Sequence, residues 1–586
     1  MEIEELVKHN KYAALQSMVD DLMSMDESKY NSPDAFQKTI HKLSRQYKHF
    51  PSKQELGTLF RHIIKTENRP YNRTLYNVLI KKSVRSDSGI LNVSVSTPPD
   101  KFSCKFNCYF CPNEPGMPRS YLSNEDVFQR AQKVAFDTVL QVYDRFHVLE
   151  ANGHTIDKVE YRVLGGTFSS YDHSITDTFI RDLYYGANTY YENRETPRPR
   201  STLEEEQAMN VHAKIHIVGL GIETRPDTIT PSEILRFRRY GVTRVELGIQ
   251  HTDDNLLQKL NRGHTVAQSK DAIRLLKNYG FKLELHIMTD LPGATPEGDK
   301  DCYRQVLRDD PDLIPDYMKD YPCLDVAYTK VRQWKLQGKW KPYAERTPDA
   351  KDLVDVLIYR QSITPKYVRV NRIQRDFKEE TETTIGFQSN SIRTNLAQLV
   401  KDAAEHQGIY CQCIRCCEVR NETFDPKEVI YAHDKFEASG ATEYFLYAAV
   451  PRPHRPLLLG FLRLRLGNAL EQSIIPELQG KTVLVRELHV YGKIQAVGSQ
   501  AKSKDATQHL GIGTTLLSQA ESIAADHSYT KMAIISGIGV RDYYRKRGYE
   551  LQGTYMVKKI TSSKDMWPIL LPFLILVVAI FLTNLV

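Results

Sequence analysis

Cysteine is scarce in this chain. Nine of its 586 residues are cysteine, falling as Cys104/108/111, Cys302, Cys323 and Cys411/413/416/417. Tight groups of this kind exclude the evenly paired framework of a small secreted domain and point to metal sites in a reducing compartment. A signal peptide is lacking too, because Met1–Asp20 is polar and mixed in charge. No internal repeat or low-complexity tract appears, which excludes a solenoid. Acidic residues are nearly missing between Lys38 and Arg85, where 12 Lys and Arg meet only Glu55 and Glu67. The net charge of +7 is therefore unevenly placed. That segment is either a phosphate-binding surface or a solvated helical face. Long hydrophobic runs are missing but for one, Trp567–Leu582, which has Pro568 and Pro572 near its start and Lys558, Lys559 and Lys564 before it. About 20 such residues would cross a bilayer as a helix, so 566–586 reads as a tail anchor on the cytosolic face of the endoplasmic reticulum or outer mitochondrial membrane. The alternative is a buried core helix.

The length supports two or more domains. Residues 1–85 carry helical periodicity (Leu6, Tyr12, Leu15, Met18, Leu22) and then the basic segment. From 86 to 330 strands and helices alternate. The strands Ile90–Ser96, Val159–Leu164, Ile215–Gly221, Val242–Ile249 and Leu283–Met288 are separated by helices such as Val127–Tyr143, Ser232–Tyr240 and Val266–Tyr279. Repeated βα units predict an α/β fold with a parallel sheet, open or closed into a barrel, whose site lies at the strands' C-terminal ends. Residues 331–425 form a connector with a cysteine-dense loop. From 426 to 562 the pattern is β, β, β, α, β, α, with strands Glu443–Ala449, Leu457–Leu466, Val483–Val490 and Met532–Ser536, and helices Gly513–Ala525 and Tyr543–Arg547.

Cys104-x3-Cys108-x2-Cys111 follows the first strand. Three thiolates at this spacing suit a [4Fe–4S] cluster with one iron open to the amino and carboxylate groups of S-adenosylmethionine (SAM). A structural zinc with a distant fourth ligand is the other use of three cysteines. Phe106, Tyr109 and Phe110 would shield a cluster, and Gly165-Gly166-Thr167 after the next strand permits close backbone approach to the SAM methionine. Cys411, Cys413 and Cys416 read as zinc ligands, with a second Fe–S site or unligated buried thiols as alternatives. Cys302 and Cys323 are structural. Gln508-His509-Leu510-Gly511-Ile512-Gly513, between a strand and a helix, presents backbone N–H groups suited to the pyrophosphate of an acyl-CoA. Tyr543 or Tyr544 could protonate a leaving thiolate, or simply pack a core edge.

Taken in order, these residues resemble the family of the catalytic subunit of Elongator. The likeness runs from about 80 to 560 through Arg85-Ser-Asp-Ser-Gly, the three cysteines, Leu-Gly-Gly-Thr-Phe168, Ile-Glu-Thr-Arg-Pro-Asp227, Glu246-Leu-Gly-Ile-Gln250, Asn261-Arg-Gly-His-Thr265, His286-Ile-Met-Thr-Asp-Leu-Pro292 and Arg372-Ile-Gln-Arg-Asp376. It continues with Arg486-Glu-Leu-His-Val-Tyr-Gly492, Ile535-Ser-Gly-Ile-Gly539 and Arg541-Asp-Tyr-Tyr-Arg-Lys-Arg-Gly-Tyr549. The resemblance implies a radical-SAM partial (β/α) barrel followed by a GNAT-type acetyltransferase domain. It further implies a tRNA uridine(34) acetyltransferase in which a 5′-deoxyadenosyl radical takes hydrogen from the methyl group of acetyl-CoA. The carbon radical then adds to C5 of the wobble uridine, and thioester hydrolysis leaves a carboxymethyl group.

Carried over by residue, the resemblance assigns Cys104, Cys108 and Cys111 to the cluster and Gly165, Gly166, Thr167, Glu223 and Gln250 to SAM. Lys319 and Tyr321 match the family's Lys-x-Tyr near the site and would contact tRNA or acetyl-CoA, with Lys319 counted beside Tyr543 and Tyr544 as catalytic. Glu487, Leu488, His489, Val490 and Gln508–Gly513, with Tyr543 and Tyr544, would serve acetyl-CoA. The basic N-terminal region would grip tRNA, and an external electron donor, Elongator-type accessory subunits and a homodimer belong to what the resemblance implies. The first cysteine gap is shorter than in animal and fungal members, the Cys411–Cys416 loop resembles the zinc loop of prokaryotic-type members, and the anchor lies outside the usual domain plan. Two rival functions are a lysine acetyltransferase of the histone or tubulin type, using the C-terminal domain alone, and a membrane-tethered tRNA binder with decayed catalysis.

Overall fold

A computed structural model describes residues 6–7, 11–67, 69–70, 72–81, 88–99, 104–192, 197–375, 384–385, 390–420, 422–467, 470–492 and 511–560. Four helices come first, Tyr12–Ser24, Pro33–Gln46, Lys53–Glu67 and Arg73–Leu79. Two of their starts are fixed locally. The Ser32 hydroxyl accepts from Ala35 N at 3.2 Å with Pro33 in the first turn, and the Asn72 side chain accepts from Leu75 N at 2.8 Å. Leu15, Met18, Leu22, Leu56, Phe60 and Leu75 turn inward into one small core, which leaves Lys38, Lys42, Arg45 and Lys48 exposed.

The central unit is a half-barrel of seven parallel strands. They are β1 (Leu91–Ser96), β2 (Lys158–Leu164), β3 (His216–Thr224), β4 (Arg244–Gln250), β5 (Lys282–Ile287), β6 (Tyr317–Asp320) and, after a two-residue β7 (Asp325–Val326), β8 (Arg369–Arg372). Their order in the sheet is β1-β2-β3-β4-β5-β6-β8, with every neighbouring pair parallel. β7 pairs antiparallel with β9 (Thr384–Ile385) outside this sheet. The strands are nearly all buried because helices cover the outer face, as a parallel sheet requires. The helix expected at Val127–Tyr143 is two helices, Asp126–Lys133 and Thr138–Ala151. Ala135 and Phe136 between them are left-handed, with φ of 49° and 59°, and the Asp137 carboxylate caps the second helix by accepting from Leu140 N at 2.8 Å.

A second sheet holds β10 (Ile430–Ala438), β11 (Ala441–Val450), β12 (Leu457–Leu466), β13 (Thr482–Val490), β14 (Lys531–Ile534), β15 (Glu550–Gln552) and β16 (Tyr555–Lys559), in the order β10-β11-β12-β13-β14-β16-β15. All its pairs are antiparallel except β13 with β14, which the helix Ile512–Asp526 connects. β10 and β15 carry little apolar signal: β10 is mostly exposed at the sheet edge and β15 is exposed throughout.

The two sheets share a core. Leu484, Ala533, Ile535, Ile538, Tyr555 and Val557 belong to one buried cluster with Ile217, Tyr279 and Phe281 of the half-barrel. At Gly537 the backbones meet so closely that a Cβ would fall 2.1 Å from Val218 O. Beside this apolar contact runs a buried ionic seam. Arg486 donates to Asp316 Oδ1 at 2.9 Å and to Glu443 Oε2 at 2.9 Å, and also to Phe281 O at 2.7 Å. Arg463 reaches Glu487 at 3.0 Å and Asp316 at 3.5 Å, while Arg465 and Lys277 reach Glu443 at 3.0 and 3.4 Å. Burial alone would raise the Asp316 carboxyl, but Arg486, Arg463 and Lys277 hold it well below the usual carboxylate range.

The expected membrane-anchored location needs correction. Among the described residues no helix is long and apolar enough to cross a membrane. The longest helices among the described residues have 17 residues, about 25 Å at 1.5 Å per residue, short of a hydrocarbon core of about 30 Å. The apolar stretch 566–586 lies outside the described residues, so neither the anchor nor the choice of membrane is carried further.

Arg486→Met is expected to destabilise the protein by about 3–5 kcal/mol, because two buried carboxylates lose their shared cation. Thermal and urea melts check this, with Lys351→Met, which breaks only an exposed pair with Asp355, as the control expected to change nothing measurable. A wild-type melt for Arg486→Met would contradict the seam.

Candidate active site

The loop after β1 carries Cys104, Cys108 and Cys111, with Cys108 buried and the other two half-buried. A tight turn brings Cys111 N to Cys108 O at 3.1 Å. Two guanidinium groups donate to Cys108 Sγ, Arg225 from the loop after β3 and Arg262 from the segment after β4, each at 3.4 Å. Arg225 also lies 3.6 Å from the centre of the Phe106 ring and is held by both oxygens of Asp227, at 2.9 and 3.1 Å. Burial pushes the Cys108 thiol up, yet Arg262 and Arg225 bring it below its ordinary value, whereas burial drives Cys111 up to about 11. Tyr109 packs edge-on against Trp334 at 5.4 Å, covering the loop. Thiols set among buried cations suit an anionic, thiolate-held cluster.

Below this loop lies a cavity of about 1130 Å³. Cys111 lines it from the cysteine loop, Glu223 and Gln250 from β3 and β4, Lys319 from β6, and Glu487 and His489 from β13 of the other sheet. Its floor is a lattice of paired charges. The Lys319 ammonium bonds Glu246 and lies 3.8 Å from Glu284; His286 Nε2 is 3.0 Å from Glu246; Arg244 reaches Glu160 at 2.8 Å. Burial opposes the charge on Lys319, but Glu246 and Glu284 hold the ammonium well above its usual range. Burial and then Glu246 raise the Glu223 carboxyl, which accepts a hydrogen bond from Tyr121.

Strand β13 faces two ways, because side chains alternate along a strand. Glu487 and His489 line the cavity. Val490, on the opposite face, meets the start of the helix Ile512–Asp526: a Cβ at Gly513 would lie 3.4 Å from Val490 and 2.5 Å from the Tyr543 hydroxyl. β13 pairs with β14 only over Thr482–Val485, so the two strands part toward this helix start, leaving a notch with backbone N–H groups at its end. Gly511, with φ of 71°, opens the helix. The Tyr543 and Tyr544 rings are perpendicular at 5.1 Å. Tyr543 borders the notch, while Tyr544 is buried in the second core with Tyr549. Burial raises both phenols, so both are protonated at neutral pH.

A third group lies in the connector. The sulfurs of Cys411, Cys413 and Cys416 all lie within 4.8 Å of one another, the spacing of ligands around a single ion. Cys417 is not part of this group, since its thiol approaches Gln412 O at 3.5 Å and its side chain packs in the second core.

The structure thus draws Cys111, Glu223, Gln250, Lys319, Glu487 and His489 around one cavity, and Val490, Gly513 and Tyr543 around a notch behind β13. Leu488 packs against the second core. Gly165, with φ of 151°, packs on Thr97, where a Cβ would fall 1.8 Å from the hydroxyl; Gly165, Gly166 and Thr167 do not line the cavity. Gln508, His509 and Leu510 lie outside the described residues. Tyr121, Arg225, Glu246, Arg262 and His286 contribute to the site although sequence reading gave them no role. Arg225, Glu246, Arg262 and His286 stand in the motifs that carry the family resemblance, and that membership was the available signal.

Residues 102–305 match the family model of the Radical SAM superfamily, which implies a [4Fe–4S] cluster and SAM. The chain is 36% identical over 511 residues to the tRNA uridine(34) acetyltransferase of Methanocaldococcus infernus, covering 85% of this chain and 91% of that protein. It is 35% identical over 504 residues to Elongator complex protein 3 of Danio rerio, covering 84% of this chain and 87% of the relative. A solved structure described as the archaeal Methanocaldococcus infernus Elp3 with an N-terminal deletion superposes with a TM-score of 0.67 at 34% identity, covering 80% of this chain and 99% of that one. This chain belongs to the Elongator Elp3 / tRNA uridine(34) acetyltransferase family, a family of radical-SAM acyltransferase enzymes.

Proposed function

We propose that this enzyme places a carboxymethyl group on C5 of the wobble uridine of tRNA, using SAM radical chemistry and acetyl-CoA. The observation that supports this most is the shared cavity: residues of the cysteine loop, the half-barrel strand ends and β13 of the second sheet line one space. A cluster held by Cys104, Cys108 and Cys111 would supply the one-electron reduction that cleaves SAM. Glu223 and Gln250 would orient SAM in the cavity. The second sheet, read as a GNAT-type acetyltransferase domain, would hold the pyrophosphate of acetyl-CoA at the helix start and bring its acetyl end through the β13 wall. Tyr543, protonated and beside Gly513, would donate a proton at the thiolate as the thioester is hydrolysed.

The acceptor is read from the N-terminal helices. Lys38, Lys42, Arg45, Lys48, Lys53 and Lys65 are exposed, and Phe50, 75% exposed, stands among them. Cations with an open aromatic ring suit phosphate and base contacts. Arg61 and Arg69 are not part of that surface: Arg61 bonds Ala151 O at 3.0 Å, and Arg69 pairs with Asp20 and Glu67. In the connector, Cys411, Cys413 and Cys416 are read as a structural zinc site.

Full-length protein, reconstituted anaerobically and given tRNA, SAM, acetyl-CoA and a reductant, is expected to produce a 5-carboxymethyl adduct on uridine, detected by nucleoside mass spectrometry. Cys108→Ala should abolish the adduct. Tyr543→Phe and Tyr544→Phe separate the tyrosine facing the notch from the one in the core, and a drop of about 10²-fold or more is expected for Tyr543→Phe. Lysine acetylation that survives Cys108→Ala, with no tRNA adduct, would overturn the reading in favour of a protein acetyltransferase.

Metal analysis tests the connector separately. About one zinc per chain is expected, lost in Cys413→Ser and retained in Cys417→Ala. Retention of zinc in Cys413→Ser would contradict the assignment.

A further inference from the structure

Arg262 is a buried cation without a carboxylate. It is 6% exposed, and among the described residues it forms no ion pair with an acid. Its Nη1 donates to Cys108 Sγ at 3.4 Å, its Nη2 donates to Gly248 O, and its Nε has no hydrogen-bond partner. Its neighbour Arg225 is different, because Asp227 neutralises it through two hydrogen bonds. Arg225 in turn fixes Arg262, donating to its backbone carbonyl at 2.6 Å. His264 beside them adds no charge: burial and the two guanidiniums push its imidazole down to about 2. One positive charge is therefore left over at Cys108, on a buried side chain. An unpaired buried guanidinium is strongly unfavourable unless an anion accompanies it. The anion available is the cysteine-held group itself, and it gains a further negative charge on reduction.

We propose that Arg262, held in place by Arg225, is the positioning residue that stabilises the reduced form of the cluster and thereby sets how readily the enzyme takes up its electron. This rests on the reading of Cys104, Cys108 and Cys111 as cluster ligands. The step is the uptake of one electron from a low-potential one-electron donor; no bond is made or broken and no proton moves. Hydrogen bonds and positive charge at a ligating sulfur favour the more reduced state, so their loss makes reduction harder.

The test uses full-length protein with its cluster reconstituted anaerobically. Iron content and the electron paramagnetic resonance signal are followed through a dithionite titration against redox mediators. Arg262→Met is expected to keep its iron but reduce about tenfold less favourably, a midpoint about 59 mV more negative for one electron. Arg262→Lys, which keeps the charge, should recover most of that shift, and Arg225→Met should show a smaller one. An unchanged midpoint in cluster-loaded Arg262→Met overturns the inference alone. Equal loss of iron in Arg262→Met and Arg262→Lys also overturns it, since the residue would then build the loop rather than hold the electron. A wild-type protein that holds no cluster overturns the cysteine reading as well.

Discussion

The placing of the second sheet against the half-barrel depends on one buried contact, the charge seam that fuses the two. Asp316 stands at the start of β6 and Glu443 on β11, and Arg486 of β13 is clamped between them. Salt bridges this deep are poor sources of stability by themselves, because desolvation offsets the attraction. What such a set does impose is registry. Arg463, Arg465 and Lys277 each require a partner from the group, so one sliding position of the second sheet against the half-barrel satisfies them all. The apolar contacts beside it, Ile538 and Tyr555 among them, supply the favourable free energy that the charges do not.

That registry decides what β13 can see. Arg486 is locked into the seam, and the next residues alternate: Glu487 and His489 toward the cavity, Leu488 and Val490 away from it. A single strand is thus a shared wall, one face turned to the cysteine loop and the other to the notch at the start of the helix Ile512–Asp526. Tyr317 of β6, immediately after Asp316, donates its hydroxyl to Glu487, which ties the cavity wall to the seam.

Much of this was legible in the residue pattern, and the exceptions have physical causes. Strands β1 to β5 read clearly because each keeps a set of valine, isoleucine or leucine residues on its buried face, while Asn92, Ser94, Glu160, Arg162, Arg244 and His286 between them turn to the cavity. β6 did not, since Lys319 and Asp320 interrupt it with buried charge whose partners, Glu246 and Arg360, lie far away in sequence. β10 was hidden by its exposed edge. The break between Lys133 and Thr138 was hidden because Ala135 and Phe136 adopt left-handed backbone without a glycine to announce it. In the site, cysteine spacing pointed to Cys108, and the family resemblance pointed to Glu223 and Gln250. Neither could show that Arg225 and Arg262 converge on Cys108, which is a long-range fact of the fold. The choice of Cys416 over Cys417 for the metal-like group likewise agreed with side-chain direction that only the folded chain displays.

The most direct test of the shared cavity follows a hydrogen atom. Full-length protein would be incubated anaerobically with tRNA, SAM, a reductant and acetyl-CoA carrying three deuterons on its methyl group, and the 5′-deoxyadenosine formed would be weighed by mass spectrometry. One deuterium in that nucleoside is the expected result, because the radical and the acetyl methyl would meet in one space. A carboxymethyl adduct on uridine accompanied by 5′-deoxyadenosine without deuterium would contradict it.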